Sequence, residues 1–426
     1  MLPTTERSRA SRAALAARLQ AVRHHSLALA EPLSPEDQQA QSMPDASPTK
    51  WHLGHTSWFF EAVVLQPHLP DCAAFDARFA RLFNSYYESI GPRHPRPERG
   101  LLTRPTLAEV LAYRRHVDAA LQTLVAEADD DTWARAAPLV ELGLQHEQQH
   151  QELMLTDVLH LLSRNPLAPA YAARPARASL PSPVADTDWW ESAGGEVEIG
   201  HDPHAGFGFD NEGPRHIVHL APFALARRLV TNGEWQAFID DGGYRRPALW
   251  LSDGWAMVQA QGWQAPLYWR DGGQAFGLHG EQPIDPAAPV CHLSFYEAAA
   301  FAAWAGARLP TEFEWETAAR AWGVAPSAPP APPAALTPAP RRSADDLQCF
   351  GAVWQWTRSS YDPYPRFKPF DGTAAEYNGK FMVGQLVLRG SSCATPPGHA
   401  RVTYRNFFAP SARWQFAGLR LAKDLE

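Results

Sequence analysis

With 426 residues, 45% of them apolar and 20% charged, the chain has the length of two or more domains and the composition of a soluble globular protein. A formal net charge of −8 argues against a general binder of nucleic acid or of an anionic membrane. No apolar run is long enough to span a bilayer, and Met1–Gln20 lacks the continuous apolar core of a secretory signal.

In chain order, residues 7–30 read as an amphipathic helix ended by Glu31-Pro32. Ser47 and Pro48 open a second helix, Thr49–Leu65, with Ser47 as N-cap and Pro48 in the first turn. A loop over Asp71–Arg104 leads to a third helix, Thr106–Glu127, whose stripe is Leu107, Val110, Leu111, Val117, Leu121 and Leu124. The fourth, Leu139–Ser163, is opened by Pro138 and closed by Asn165-Pro166. Four long helices predict a bundle domain over 1–165, and bundles hold metals between facing helices. Residues 166–187, rich in Pro, Ala, Arg and Ser, read as a linker.

Beyond the linker the texture changes to Gly, Trp and short apolar runs, and most of the 16 tryptophans fall here. Gly195–Gly200 alternates like a strand. Thr231 would cap a short helix, Ser294–Ala305 reads as a helix, and Thr311 with Glu314 forms a capping box for Glu312–Ala321. Residues 323–342, Pro/Ala-rich, read as a disordered insertion within a domain of 188–426. The C-terminal stretch looks like strands joined by aromatic-rich loops. Cys72, Cys291, Cys349 and Cys393 are scattered, form no C-x-x-C pair, and are expected as free thiols in a reducing cytoplasm.

The chemistry concentrates in His146-Glu147-Gln148-Gln149-His150. Histidines at i and i+4 lie about 40° apart on a helix, so both imidazoles reach one ion. Gln149 borders that face; Glu147, about 100° from His146, is less well placed. The pattern also fits H-E-x-x-H zinc proteases, but the extended downstream ligand motif is absent. In Trp51-His52-Leu53-Gly54-His55, the two histidines share a face, and either would complete a three-histidine site. Three neutral imidazoles leave open positions on a metal of higher coordination, such as iron. The plain alternative is core and surface histidines without a metal.

The phrases Ser47-Pro48-Thr49-Lys50-Trp51-His52-Leu53-Gly54-His55 and His146–His150 resemble the ergothioneine-biosynthesis sulfoxide synthases. So do Val230-Thr231-Asn232-Gly233-Glu234, Ala307–Glu312, Val353–Thr357 and Leu388–Ser392, in the same order. The resemblance implies an α+β protein of two domains. One is an N-terminal four-helix DinB-like bundle. The other is a C-terminal mixed α/β domain of the formylglycine-generating-enzyme type, with a C-type-lectin-like core. It implies an iron(II) oxidoreductase with His55, His146 and His150 as ligands and His52 as a structural or supporting residue. The family uses dioxygen to join a chalcogen to imidazole C2 of hercynine, with Gln149 against that ring. The double tyrosine, Tyr86 and Tyr87, resembles the branch whose catalytic tyrosine lies in the N-terminal domain.

A trimethylammonium group is best held by aromatic faces and nearby oxygens, for which Trp354, Gln355, Trp356, Tyr404, Asn406, Phe407 and Phe408 are candidates. Arg405 is a candidate for the betaine carboxylate. Arg93, Arg96 and Arg99 are candidates for carboxylates of a cysteine or γ-glutamylcysteine donor, or a solvated basic turn.

Gln355 replaces the glutamate of the family's W-E-W phrase, Gly384 stands where Asn is frequent, and Ser391 breaks a double glycine. These departures leave the second substrate open between a thiol and a selenosugar, and the chain resembles the selenoneine synthase branch, which uses a selenosugar, at least as well as the sulfoxide synthases. The rivals outside the class are a DinB-type zinc hydrolase or thiol transferase, and a non-catalytic sugar- or peptide-binding protein. Oligomeric state is not readable.

Overall fold

The computed structural model describes residues 4–174, 187–326 and 336–426. Most of the expected linker (175–186) and the middle of the expected insertion (327–335) lie outside the described residues. The chain divides into two compact units. One is Met1–Asn165 with Asp371–Tyr377; the other is Pro166–Phe370 with Asn378–Glu426.

The first unit is helical. Its long helices are α1 (Thr4–Ala30), α2 (Thr49–Phe59), α3 (Leu107–Glu127) and α4 (Asp130–Ser163). Arg12 of α1 donates to the carbonyls of Leu124, Val125 and Ala128 at the C-terminal end of α3. Helix α3 begins with a capping box between Thr106 and Glu109, and it buries Val110, Tyr113, Val117, Leu121 and Leu124.

Three local expectations need correction. Helix α4 starts at Asp130, not at Leu139, because the Asp129 side chain accepts from Thr132 N (2.7 Å) and Asp130 and Asp131 suit the first turn. Pro138 therefore sits inside α4. Helix α2 is α-helical only to Phe59; Phe60–Leu65 continues it as a π-helix. Ser47 does not cap α2 through its side chain, since Ser47 Oγ accepts from Arg99 (2.8 Å).

The second unit is mixed. Its strands are β1 (Trp189–Ser192), β2 (Gly195–Ile199), β3 (His216–Leu220), β4 (Phe223–Ala226), β5 (Trp269–Arg270), β6 (Gln274–Gly277), β7 (Gly280–Pro283), β8 (Trp354–Ser360), β9 (Leu386–Gly390), β10 (Asn406–Phe408), β11 (Ala417–Gly418) and β12 (Ala422–Asp424). They form sheets of order β1-β4-β12, β10-β9-β8-β11, β2-β3 and β5-β6-β7. Helices α5 (Asn232–Asp240), α6 (Ser252–Gln261), α7 (Phe295–Trp304) and α8 (Glu312–Ala321) surround them. Thr231, Ser294 and Thr311 each close a capping box, with Glu234, Glu297 and Glu314.

Ala318 of α8 packs on Phe223 and Leu225 of β4, and Trp315 on Cys349. Gly390 ends β9 at φ +94°, where an added Cβ would meet Cys349 O at 2.4 Å, so only glycine fits. Tyr171 is buried and its N–H donates to Leu278 O (2.9 Å), and Leu336 is buried. All four cysteines are free thiols. Among the described residues no helix is long and apolar enough to cross a membrane.

Candidate metal centre

Helices α2 and α4 meet at their histidines. His55 of α2 and His146 and His150 of α4 each offer a ring nitrogen, and these atoms all lie within 4.8 Å of one another. His55 Nε2 stands 3.1 Å from His146 Nε2, while His55 Nδ1 donates to the Phe83 carbonyl (2.6 Å). That bond puts the His55 proton on Nδ1 and leaves its Nε2 lone pair facing His146. The approach of the Phe83 segment depends on Gly54, where a Cβ would lie 2.2 Å from the Phe83 ring.

Burial and mutual proximity keep the rings neutral. Burial, then His146, holds His55 well below the usual imidazole range. Burial pushes His146 down to about 3, and burial, then His55 and His146, lowers His150 far below its usual value. His146 Nδ1 is buried with no hydrogen-bond partner. Two bare nitrogens 3.1 Å apart repel unless a proton or cation lies between them. A shared ion at about 2.1 Å from each nitrogen is compatible with that spacing. The donor set therefore fits a metal. His55 and His146 are buried; His150 is partly exposed.

Apolar rings fix the walls. Trp51 stacks on His55 (4.6 Å between centroids, 12° between planes), and Phe59 lies 4.4 Å from His146. The Arg99 guanidinium covers the other side of Trp51 at 3.3 Å from the ring centroid. Arg99 also donates to Ser47 Oγ (2.8 Å) and Ser85 Oγ (3.1 Å). Arg93 is exposed, donating to Ser85 O and pairing with Glu88 (3.2 Å); Arg96 is exposed.

Glu147 points away from the triad. Arg23 and Arg114 pair with it, and Ser26 donates to it. Burial opposes its charge, yet the two guanidiniums bring its carboxyl down to about 2. Gln149 is half-buried beside the triad, and its Oε1 accepts from the hydroxyl of Tyr377. The Tyr377 ring stands edge-on to His146 at 5.6 Å. Tyr86 stacks on Tyr87 (4.7 Å). Tyr87 is buried beside Trp58 and Phe59, and burial, then Tyr86 and Tyr377, raises its phenol well above the usual value.

The nominated residues of the second unit split into two groups. Gln355 is buried and saturated. It accepts from Trp315 Nε1 (2.7 Å) and Arg420 Nε (3.0 Å) and donates to Cys349 O (3.1 Å). Trp356 Nε1 donates to Leu293 O (2.9 Å). Trp354 packs on Tyr404, whose ring also carries the Arg401 guanidinium. Arg405 forms a two-point pair with Glu312 (2.8 and 2.9 Å). By contrast Asn406, Phe407 and Phe408 on β10 are half-buried, with Phe407 stacked on Tyr361 at 4.0 Å.

Residues 187–327 and 339–425 match the sulfatase-modifying factor enzyme 1-like domain, and residues 18–154 match the DinB superfamily. The chain is 36% identical to a hercynine oxygenase of Mycolicibacterium smegmatis, over 97% of this chain and 100% of that protein. It is 35% identical to a hercynine oxygenase of Mycobacterium tuberculosis, over 90% and 92%. A Neurospora crassa protein named ergothioneine biosynthesis protein 1 is 23% identical over 88% of this chain and 53% of its own length. The chain belongs to the ergothioneine-biosynthesis sulfoxide synthase family.

As a member of that family it is an oxidoreductase, built from a DinB-like helical domain and a formylglycine-generating-enzyme-like domain. Two residues at the triad escaped the sequence reading. Asp157 lies seven residues after His150, about 20° from it around the helix, so helical spacing alone marks it. Tyr377 carried no such signal, since it is 228 positions from Gln149 in sequence.

Proposed function

We propose that this enzyme holds iron(II) through His55, His146 and His150. With it the enzyme uses dioxygen to join selenium or sulfur to imidazole C2 of hercynine. The observation that carries this reading is the triad: three neutral imidazoles, His55 and His146 buried and His150 partly exposed, with no carboxylate in the cluster. Bound iron(II) supplies the electrons that make dioxygen reactive. In the overall reaction the C2–H and the chalcogen–H bonds break, and a carbon–chalcogen bond and a chalcogen–oxygen bond form. The second oxygen atom leaves as water.

The residues of the chain bind, orient and hold protons. Gln149 faces the imidazole of hercynine, and the Tyr377 hydroxyl, fixed on Gln149 Oε1, holds a proton beside the triad. Tyr86 or Tyr87, stacked on each other, serves as the proton donor of the N-terminal domain, and Tyr377 is a further phenol for that role. In the second unit, half-buried Phe407 and Phe408 on β10, with Asn406 beside them, are aromatic faces of the kind that a trimethylammonium group takes.

For the second substrate we favour an uncharged selenosugar over cysteine or γ-glutamylcysteine. Arg99 is buried and committed to Trp51, Ser47 and Ser85, and of the two exposed arginines Arg93 pairs with Glu88.

The test is anaerobic loading with iron(II), then hercynine, air and each donor in turn, with mass spectrometry of products and measured oxygen uptake. The reading expects a selenium adduct of hercynine, with less sulfur adduct from either thiol. Tight zinc binding with no oxygen uptake and no adduct from any donor would refute it.

A further inference from the structure

Beyond the three histidines, a chain of hydrogen bonds runs outward from His150. His52 Nδ1 lies 2.8 Å from His150 Nδ1, and His52 Nε2 lies 3.1 Å from Asp157 Oδ2. Asp157 is itself anchored, for the same oxygen accepts from Ser47 N (2.8 Å). All three side chains lie where α2 crosses α4, and His52 and Asp157 are buried.

The order of protons along the chain follows from the chemistry of its ends. A carboxylate only accepts, so His52 carries its proton on Nε2. A neutral His52 then has a bare Nδ1, which must accept. The donor to it is His150 Nδ1–H. His150 is thereby left with a bare Nε2, the atom available to the shared site. His55 reaches the same state through Phe83 O. His146 has no such partner, since its Nδ1 is buried and unbonded.

We infer that Asp157 and His52 are positioning residues that fix His150 as an Nε2 ligand and make it the most electron-donating of the three. This rests on the iron-site reading above. A carboxylate behind a ligating imidazole raises the basicity of the ligand nitrogen and locks the ring, and loss of such a partner lowers metal affinity about 10- to 100-fold. Here the carboxylate acts through a second imidazole, so ring orientation depends on both residues. A more basic His150 favours iron(III) over iron(II), so cutting the relay raises the potential of the bound iron.

The experiment uses the full chain in three forms: parent, Asp157→Asn and His52→Gln. Asp157→Asn keeps an acceptor for Ser47 N–H, and His52→Gln leaves the Asp157–Ser47 bond untouched, so the two disturb the fold differently. Long-range 1H–15N correlation on metal-free parent protein labelled at histidine reads the tautomers without any metal. The expected result is His52 protonated at Nε2 and His150 at Nδ1. In both variants His150 loses its single tautomer, iron(II) affinity by chelator competition falls about tenfold or more, and the potential rises.

A parent His150 protonated at Nε2, or variants with parent affinity and potential, would overturn the relay. Failure of the iron reading looks different: His146→Ala would retain iron, while the metal-free tautomer measurement would still decide the relay.

Discussion

Two clusters of buried polar groups in this molecule have opposite electrostatic character. In the second unit, Arg389 pairs with Glu316 (2.8 Å) and Glu312 (3.2 Å), Arg405 pairs with Glu312, and Tyr364 donates to Glu312 (3.0 Å). Every charge there meets an opposite charge, and the cluster ties α8 to β9 and to the β10 segment. In the first unit, His55, His146 and His150 bring three lone-pair donors together with no carboxylate among them. A saturated cluster serves the fold; a cluster of like donors needs a cation from outside. One turn of α4 shows both kinds side by side. His146 faces the triad, and Glu147, the next residue, closes a charge pair with Arg23 and Arg114.

Substitutions can break that contrast. Glu147→Ala takes the paired carboxylate from buried Arg114 and leaves Arg23 with Asp118 alone (2.6 Å), and is expected to cost about 3–5 kcal/mol in unfolding free energy, measured by denaturant titration. Protein that remains folded should hold iron at the parent ratio; parent-like stability would mean that the pair is not structural.

The carboxylates of the second unit sharpen the comparison through pH. Burial raises the Glu312 carboxyl, but Arg405 and Arg389 pull it below its usual range, and Arg401 does the same for Glu212. Groups with depressed folded-state values stabilise the protein above their unfolded-state range and lose that contribution as pH falls through the depressed values. Stability should therefore drop steadily below about pH 4.5. The drop should be smaller in Glu312→Gln, even though that variant starts less stable.

The smallest effect lies far from either cluster. Thr106→Ala removes the cap on α3 and should cost about 1 kcal/mol by denaturant titration, with iron binding unchanged.

Most of the helices, the capping boxes and the His146/His150 pair were legible because each rests on local spacing, whereas His55 in place of His52 came from the family resemblance. Thr231, Ser294 and Thr311 announce their helices by the Glu three residues on, and His146 and His150 share a face by arithmetic. The start of α4 was misread because Pro138 outweighed Asp129, although an acidic cap nine residues earlier is the stronger signal. The roles of Gln355 and Arg405 were hidden for another reason. Whether a buried polar side chain is saturated depends on partners such as Trp315 and Glu312, brought in by tertiary structure. Tyr377 was hidden in the same way.

The most direct test of the three-imidazole site is the iron content of parent and His55→Ala after anaerobic loading and desalting, with folding checked by circular dichroism. His55 is the proposed ligand from the other helix, so its loss tests convergence rather than the α4 pair alone. The account predicts a single iron per chain in the parent and almost none in the variant. Folded His55→Ala with the parent's iron content would contradict it.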